Sequence, residues 1–121
     1  MSTHRVPAIL IVLLTISACS KESSVSNIDG NPEQGRIALT QYACHACHII
    51  PGITGSKVFV GPSLEGFASR PLIAGDLPNN ADSLIAWIRH PKTIDPQTAM
   101  PDMSVTEQHA RDMAAYLSTL K

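Results

Sequence analysis

Apolar residues recur three and four apart over three stretches of the chain, and the ground between them shows no regular period. The first stretch opens at Asn31-Pro32-Glu33. Asn31 suits a cap, and Pro32 stands at the first helical position, where its missing N–H costs nothing. Gly35, Ala38, Leu39 and then Tyr42 or Ala43 share one side, which predicts a helix to about Tyr42 or Ala43. A glycine inside a helix costs about 1 kcal/mol against alanine, so Gly35 points to a close helix crossing, with a plain surface position as the alternative. The second stretch has Asn80 as cap and spans Ala81 to Arg89, with Asp82 at the positive helix end. Leu84, Ile85 and Ile88 make its apolar stripe, Trp87 lies beside it, and Pro91 ends it by restricting His90. The third begins at Thr106 and Glu107 and runs to near Leu120 through Ala110, Met113, Ala114 and Leu117. No strand pattern appears, so the expected domain is all-α.

The stretch from Ile49 to Asn80 is rich in glycine and proline and far longer than an ordinary loop. Such a loop needs something to wrap. Its most apolar part is Val58 to Leu64, and Leu64-Glu65-Gly66-Phe67-Ala68 reads as a short helical turn. A second, proline-punctuated loop from Lys92 to Val105 contains Met100-Pro101-Asp102-Met103. Only 4% of the residues are aromatic, so a core built by this short chain alone would be marginal.

The beginning of the chain reads differently. Residues 1–18 have a weakly basic start at His4 and Arg5, an apolar run from Val6 to Ile16, and small residues before Cys19. This is the pattern of a signal segment, and the run is too short for a comfortable membrane span. Ile16-Ser17-Ala18-Cys19 resembles the lipobox of bacterial lipoproteins, which makes Cys19 the expected lipid anchor; the alternatives are an ordinary signal peptide or an uncleaved anchor. Ser20 in place of aspartate implies the outer membrane if the host is Gram-negative. Residues 20–30 are polar and serine-rich, and are expected to form a flexible tether.

The chemistry concentrates at Cys44-His45-Ala46-Cys47-His48. A C-x-x-C-H motif sets two thiols where each can add to a vinyl group of one haem, and the histidine that follows donates a nitrogen to the iron. Haem c, one group attached through Cys44 and Cys47, is the cofactor this spacing implies. A redox-active dithiol or half of a zinc site is the competing reading. Against it stand the lack of a second C-x-x-C, the lack of a thioredoxin-type strand-helix pattern, and the methionines downstream. A haem also supplies the apolar surface that the long loop and the small core require. His48 is then the proximal metal ligand, and its other ring nitrogen should donate to a backbone carbonyl. The sixth ligand decides what the haem does. Met100 is preferred because Pro101 stiffens its loop, and Met103 is the alternative. Met113 lies on an apolar helical face and reads as core, while His90 and His109 read as exposed.

Cys44 to His48, Gly61-Pro62-Ser63-Leu64, Trp87, Met100-Pro101 and Ala115-Tyr116-Leu117 together resemble a small bacterial class I cytochrome c, over residues 31–121. The resemblance implies a fold in which the N- and C-terminal helices cross, so that Gly35 and Leu39 meet Met113, Tyr116 and Leu117. It implies that the Pro62 carbonyl accepts from His48, that Trp87 bonds a haem propionate, and that methionine directly before proline is the ligand. It also suggests Arg70, and more weakly Asn79, as propionate partners. The family's ring of lysines around the haem edge is sparse here, with only Lys57, Lys92 and a few arginines, so either the docking surface is mostly apolar or the partner is tethered beside it.

A net charge of −1 and the lack of a basic patch exclude nucleic acid as a partner. The reading that fits is a one-electron carrier rather than an enzyme. It would be lipid-anchored at the outer face of a bacterial membrane or in the periplasm, and monomeric when isolated. Its donor would be a quinol-oxidising complex or dehydrogenase, and its acceptor a terminal oxidase or reductase. A dedicated haem subunit of a larger complex is a variant. A haem sensor or peroxidase-like protein with a displaceable sixth ligand is the alternative from another class.

Overall fold

The computed structural model describes residues 28–55 and 60–121. The signal segment, Cys19, most of the tether, and the Lys57-Val58-Phe59 part of the long loop lie outside the described residues. Among the described residues four α-helices carry the architecture: α1 (Pro32–Gln41), α2 (Ala81–Arg89), α3 (Pro91–Ile94) and α4 (Glu107–Leu117). No helix among the described residues is long and apolar enough to cross a membrane.

Helices α1, α2 and α4 each start where a side chain can satisfy free N–H groups. The Asn31 carboxamide oxygen accepts from the backbone N–H of Glu33 and Gln34, at 3.0 and 3.1 Å. Asn80 accepts from Ser83 at 2.9 Å, and the Thr106 hydroxyl from His109 at 3.3 Å. Helix α1 stops at Gln41, a residue or two before the expected end, because Ala43 takes a left-handed backbone with φ 54°. That turn feeds directly into a 3-10 turn over Cys44–Ala46. Helix α4 stops at Leu117, short of the expected Leu120, and continues as looser turns through Ser118 and Leu120.

Helices α1 and α4 cross at backbone contact. A Cβ at Gly35 would run into the carbonyl of Asp112, with the Met113 amide next to it. Gly35 is therefore a crossing residue, as the resemblance implied. The face beneath it is sealed: Ala110, Met113 and Ala114 are fully buried, with Ala38, Leu39 and Leu117 around them. The segment entering α1 is held to the same crossing. The Asn31 N–H donates to the Asp112 carboxylate at 2.8 Å, Gln108 donates to it at 3.1 Å, and Ile28 packs against the core. Ile28 to Gly30 thus belong to the packed domain, which corrects the tether boundary at residue 30. A half-buried apolar side chain and a capped helix start outweigh local polarity.

Three other expectations need correction. A two-residue antiparallel hairpin exists, β1 (Leu72–Ile73) with β2 (Leu77–Pro78), pairing Leu72 with Pro78 and Ile73 with Leu77. Its strands are too short to show a period of two; its turn residues Ala74 and Gly75 have φ of 50° and 96°. The loop after α2 contains α3, which uses Pro91 at its start, so the proline that ends one helix opens the next. The helical turn expected at Leu64–Ala68 lies at Phe67–Ser69, because Gly66 turns left-handed at φ 63° and starts it there.

Candidate functional site

A cavity of about 710 Å³ opens between the C-x-x-C-H turn, the long loop and the methionine loop. That volume lies within the range of cofactor sites. Leu39, Leu64, Phe67, Leu84, Ile88, Met113 and Leu117 give it an apolar interior. Cys44, Cys47, His48, Pro62, Arg70, Trp87, Met100 and Met103 all line it as well. One cavity gathers the whole candidate set except Asn79.

The histidine is oriented by three backbone features. Its Nδ1 lies 2.7 Å from the Pro62 carbonyl oxygen. A carbonyl only accepts, so Nδ1 carries the proton and Nε2 is left with its lone pair. The Gly61 N–H donates to Cys47 O at 2.9 Å, and the Leu64 N–H to Ile49 O at 2.8 Å, so the loop is stitched to the motif on either side of Pro62. Gly61 itself lies flat on the imidazole: a Cβ there would fall 2.7 Å from Nδ1 and 2.8 Å from Nε2. This glycine is required by the close approach of the ring.

Cys44 and Cys47 both lie at the cavity wall and are not joined to each other. Burial pushes the Cys44 thiol up from its ordinary pKa; its backbone hydrogen bond opposes the shift and the neighbouring Cys47 adds to it. No group of three or more His, Cys, Asp or Glu among the described residues converges on a metal position. The donors the chain offers here are one imidazole and thioethers, with two thiols placed for attachment. An apolar slot with that donor set fits a covalently held haem.

The methionine loop is braced rather than loose. The Asp95 carboxylate accepts from Gln97 N–H at 2.9 Å, and the Thr98 N–H donates to Asp95 O at 3.1 Å. The Thr98 hydroxyl then accepts from Met100 N–H at 3.2 Å, while Lys92 Nζ donates to the Thr98 carbonyl. Met100 is half-buried at the cavity, whereas Met103 is 42% exposed.

The model of the cytochrome c family matches residues 33–121. This chain belongs to the cytochrome c family. It is 40% identical over 91 residues to cytochrome c oxidase subunit 2 of Alkalihalophilus pseudofirmus, a match covering 73% of this chain and 25% of that protein. It is 28% identical over 88 residues to cytochrome c oxidase subunit 2 of Bacillus sp. strain PS3, covering 69% of this chain and 25% of that protein. The chain spans about a quarter of the length of these relatives.

In this cytochrome several polar residues do things the sequence did not disclose. Arg70 lines the cavity, yet its Nη2 donates to the carbonyls of Ser63 and Glu65, the latter at 2.9 Å. It braces the turn that carries Pro62, with the guanidinium 5.5 Å from the Phe67 ring centre. Asn79 is buried and does not line the cavity; its Nδ2 donates to Phe67 O and Arg70 O, both at 3.0 Å. The suggestion of Asn79 as a propionate partner is therefore corrected, because both donors are held by backbone. Tyr116 reaches across from α4 to donate to Pro51 O at 2.7 Å. His90 is exposed, as expected, with Nδ1 3.9 Å from Asp102. His109 is only half-buried in solvent terms and is held by Tyr42, whose hydroxyl lies 3.0 Å from its Nδ1. Helical periodicity marks which face a residue occupies. It does not show which polar partner waits on the facing helix.

Proposed function

We propose that this protein is a one-electron carrier with a single haem c attached through Cys44 and Cys47 and ligated by His48 and Met100. Membership of the cytochrome c family establishes haem-based electron transfer as its chemistry. When bound, the haem iron alternates between the ferrous and ferric states and so holds or releases one electron. His48 presents Nε2 with its lone pair, fixed by the Pro62 carbonyl. Met100 offers a thioether from a braced loop, and a filled sixth position leaves no opening for dioxygen or peroxide. Trp87 and Arg70 are the cavity residues with N–H groups suited to the haem propionates. The observation that carries the reading is the convergence of His48, Met100 and both thiols on one apolar cavity.

The exposed part of the cavity rim includes Val60, Pro62, Ala99, Pro101 and Met103, all uncharged. This supports docking through an apolar face to its redox partners. Donor and acceptor would be a quinol-oxidising complex or dehydrogenase and a terminal oxidase or reductase, reached from a membrane surface through a lipidated Cys19. The similarity to oxidase subunits favours an oxidase as acceptor, and it also supports the variant in which this chain is a haem subunit of such a complex.

The test is the visible spectrum of the exported, haem-loaded protein, oxidised and reduced, beside Met100→Ala and Met103→Ala. A low-spin spectrum whose weak far-red thioether band is lost only in Met100→Ala is expected. Loss only in Met103→Ala moves the ligand. A high-spin parent without the band overturns the carrier reading in favour of a sensor or peroxidase-like site. Isolation from native membranes decides between a separate carrier and a subunit that remains with an oxidase.

A further inference from the structure

Tyr42 and His109 form a polar contact between the cavity and the helix crossing that electron transfer by itself does not require. Tyr42 lines the cavity at the end of α1, two residues before Cys44. Its hydroxyl lies 3.0 Å from His109 Nδ1, and the rings meet edge to face, with centroids 5.6 Å apart and planes at 70°. His109 sits in the first turn of α4 and is partly open to solvent, so protons can reach its ring. A protonatable group at the surface is thus joined to the cofactor wall by one side chain.

We propose that His109, acting through Tyr42, is a redox-linked proton site: the protein binds a proton at His109 more tightly when the cavity holds the reduced iron. The proposal rests on the haem reading above. Its physics is charge. A neutral imidazole leaves either ring nitrogen without a proton, and a protonated one has N–H on both. In the protonated form Nδ1–H must donate to the phenol oxygen, so Tyr42 can no longer donate to the ring and its hydroxyl dipole turns. The positive charge and the turned dipole both act on the cavity wall, where low polarity screens little. Gaining an electron lowers the positive charge in the cavity and favours the imidazolium; by linkage, the imidazolium favours reduction by the same factor. The balance is one electron from the donor protein and up to one proton from water onto the imidazole; oxidation returns both.

Most other ionisable groups on the packed elements have partners of their own; Asp82 of α2 forms no side-chain hydrogen bond or ion pair among the described residues and acts on Arg111 of α4 through its charge. From α1 the group facing the imidazole is the Tyr42 phenol, while Arg36 is paired with Glu33. From α2 Arg89 reaches Glu107, which also holds Arg111 on α4. The buried Asp112 carboxylate accepts from Asn31 and Gln108. Among the described residues no carboxylate forms an ion pair with His109.

The experiment is the midpoint potential of the haem-loaded protein against pH, for the parent, His109→Gln and Tyr42→Phe. It is paired with an NMR titration of the His109 ring in each oxidation state. The parent potential should fall as pH rises. That fall should vanish in His109→Gln and shrink in Tyr42→Phe. The ring should bind its proton severalfold more tightly in the reduced protein. A flat parent profile, a fall retained in His109→Gln, or equal proton binding in both states overturns the proposal while the thioether band stays intact. Absence of covalent haem or of that band is a different result, and it overturns the carrier reading on which the proposal stands.

Discussion

Where α1 crosses α4, backbone meets backbone: Gly35 lies on the Asp112 carbonyl, and the residues beneath are sealed from solvent. Around the cavity the arrangement is reversed. Apolar side chains from the long loop, α2 and the methionine loop face a space of about 710 Å³, and that half of the domain is mostly turns joined by single hydrogen bonds. The helix crossing buries Ala38, Ala110 and Ala114 within the polypeptide, while Leu39, Met113 and Leu117 of the same two helices also line the cavity. The loop half has its inner surface directed at a cofactor, so its apolar area counts toward stability only when something apolar fills the space. The comparison predicts that the helix crossing keeps more of its structure than the loop half when nothing apolar fills the cavity.

The double variant Cys44→Ser with Cys47→Ser should produce the largest effect. It leaves the crossing intact and removes covalent attachment, so the protein should lose the haem colour that survives a denaturing gel. Hydrogen exchange should then show loss of protection at Gly61, Leu64 and Met100, with residual protection at the α1 and α4 amides. Uniform loss across both halves would break the comparison. Gly35→Ala attacks the other half. Its Cβ meets backbone that cannot rotate away, and overpacking of this kind costs about 1–3 kcal/mol. The denaturant midpoint should fall accordingly while the spectrum of the surviving folded protein is unchanged.

Tyr116→Phe tests the seam between the halves. The phenol on α4 donates to Pro51 O, just past the attachment turn, and a Cβ at Gly52 would strike that hydroxyl. Losing one part-buried hydrogen bond costs about 0.5–1.5 kcal/mol. The expected outcome is a lower denaturant midpoint with the haem still attached, because the stitches from Gly61 to Cys47 and from Leu64 to Ile49 remain.

The helical half was readable because its signals are local. Asn31, Asn80 and Thr106 cap the helices that their positions announced, and Gly35 lies at the crossing. The C-x-x-C-H turn was readable because the spacing of Cys44, Cys47 and His48 is itself the signal, and the fold lines one cavity with that turn and Met100. The loop half was less legible. The hairpin at Leu72–Pro78 depends on positive φ at Ala74 and Gly75, and alanine gives no sign of it. Asn79 looks like a cofactor partner in sequence, but in the fold it holds the carbonyls of Phe67 and Arg70, and Arg70 at the cavity wall also holds those of Ser63 and Glu65. A loop that wraps a cavity must satisfy its own backbone groups from the side away from the cofactor. Which polar residues do so depends on the three-dimensional path of the loop.

The ion pairs on the outer surface should matter least. Glu107 bridges Arg111 on its own helix at 2.7 Å and Arg89 of α2 at 3.5 Å, which ties two helices together outside the core. The hydrogen bond from Arg111, its charge and then that of Arg89 lower the carboxyl pKa from its ordinary value. A carboxyl depressed in the folded state contributes stability that is present above its unfolded pKa, near the usual carboxylate range, and is lost as pH falls through the folded one. Glu107→Gln should therefore be slightly less stable than the parent at neutral pH, and the two should converge below about pH 4. The group is open to solvent, so added salt should shrink the neutral-pH difference and move the convergence toward the unfolded carboxyl pKa. Denaturant midpoints at two salt concentrations, from neutral to acid pH, check this. A difference that survives high salt would mean that Glu107 holds α2 to α4 by packing as well as by charge.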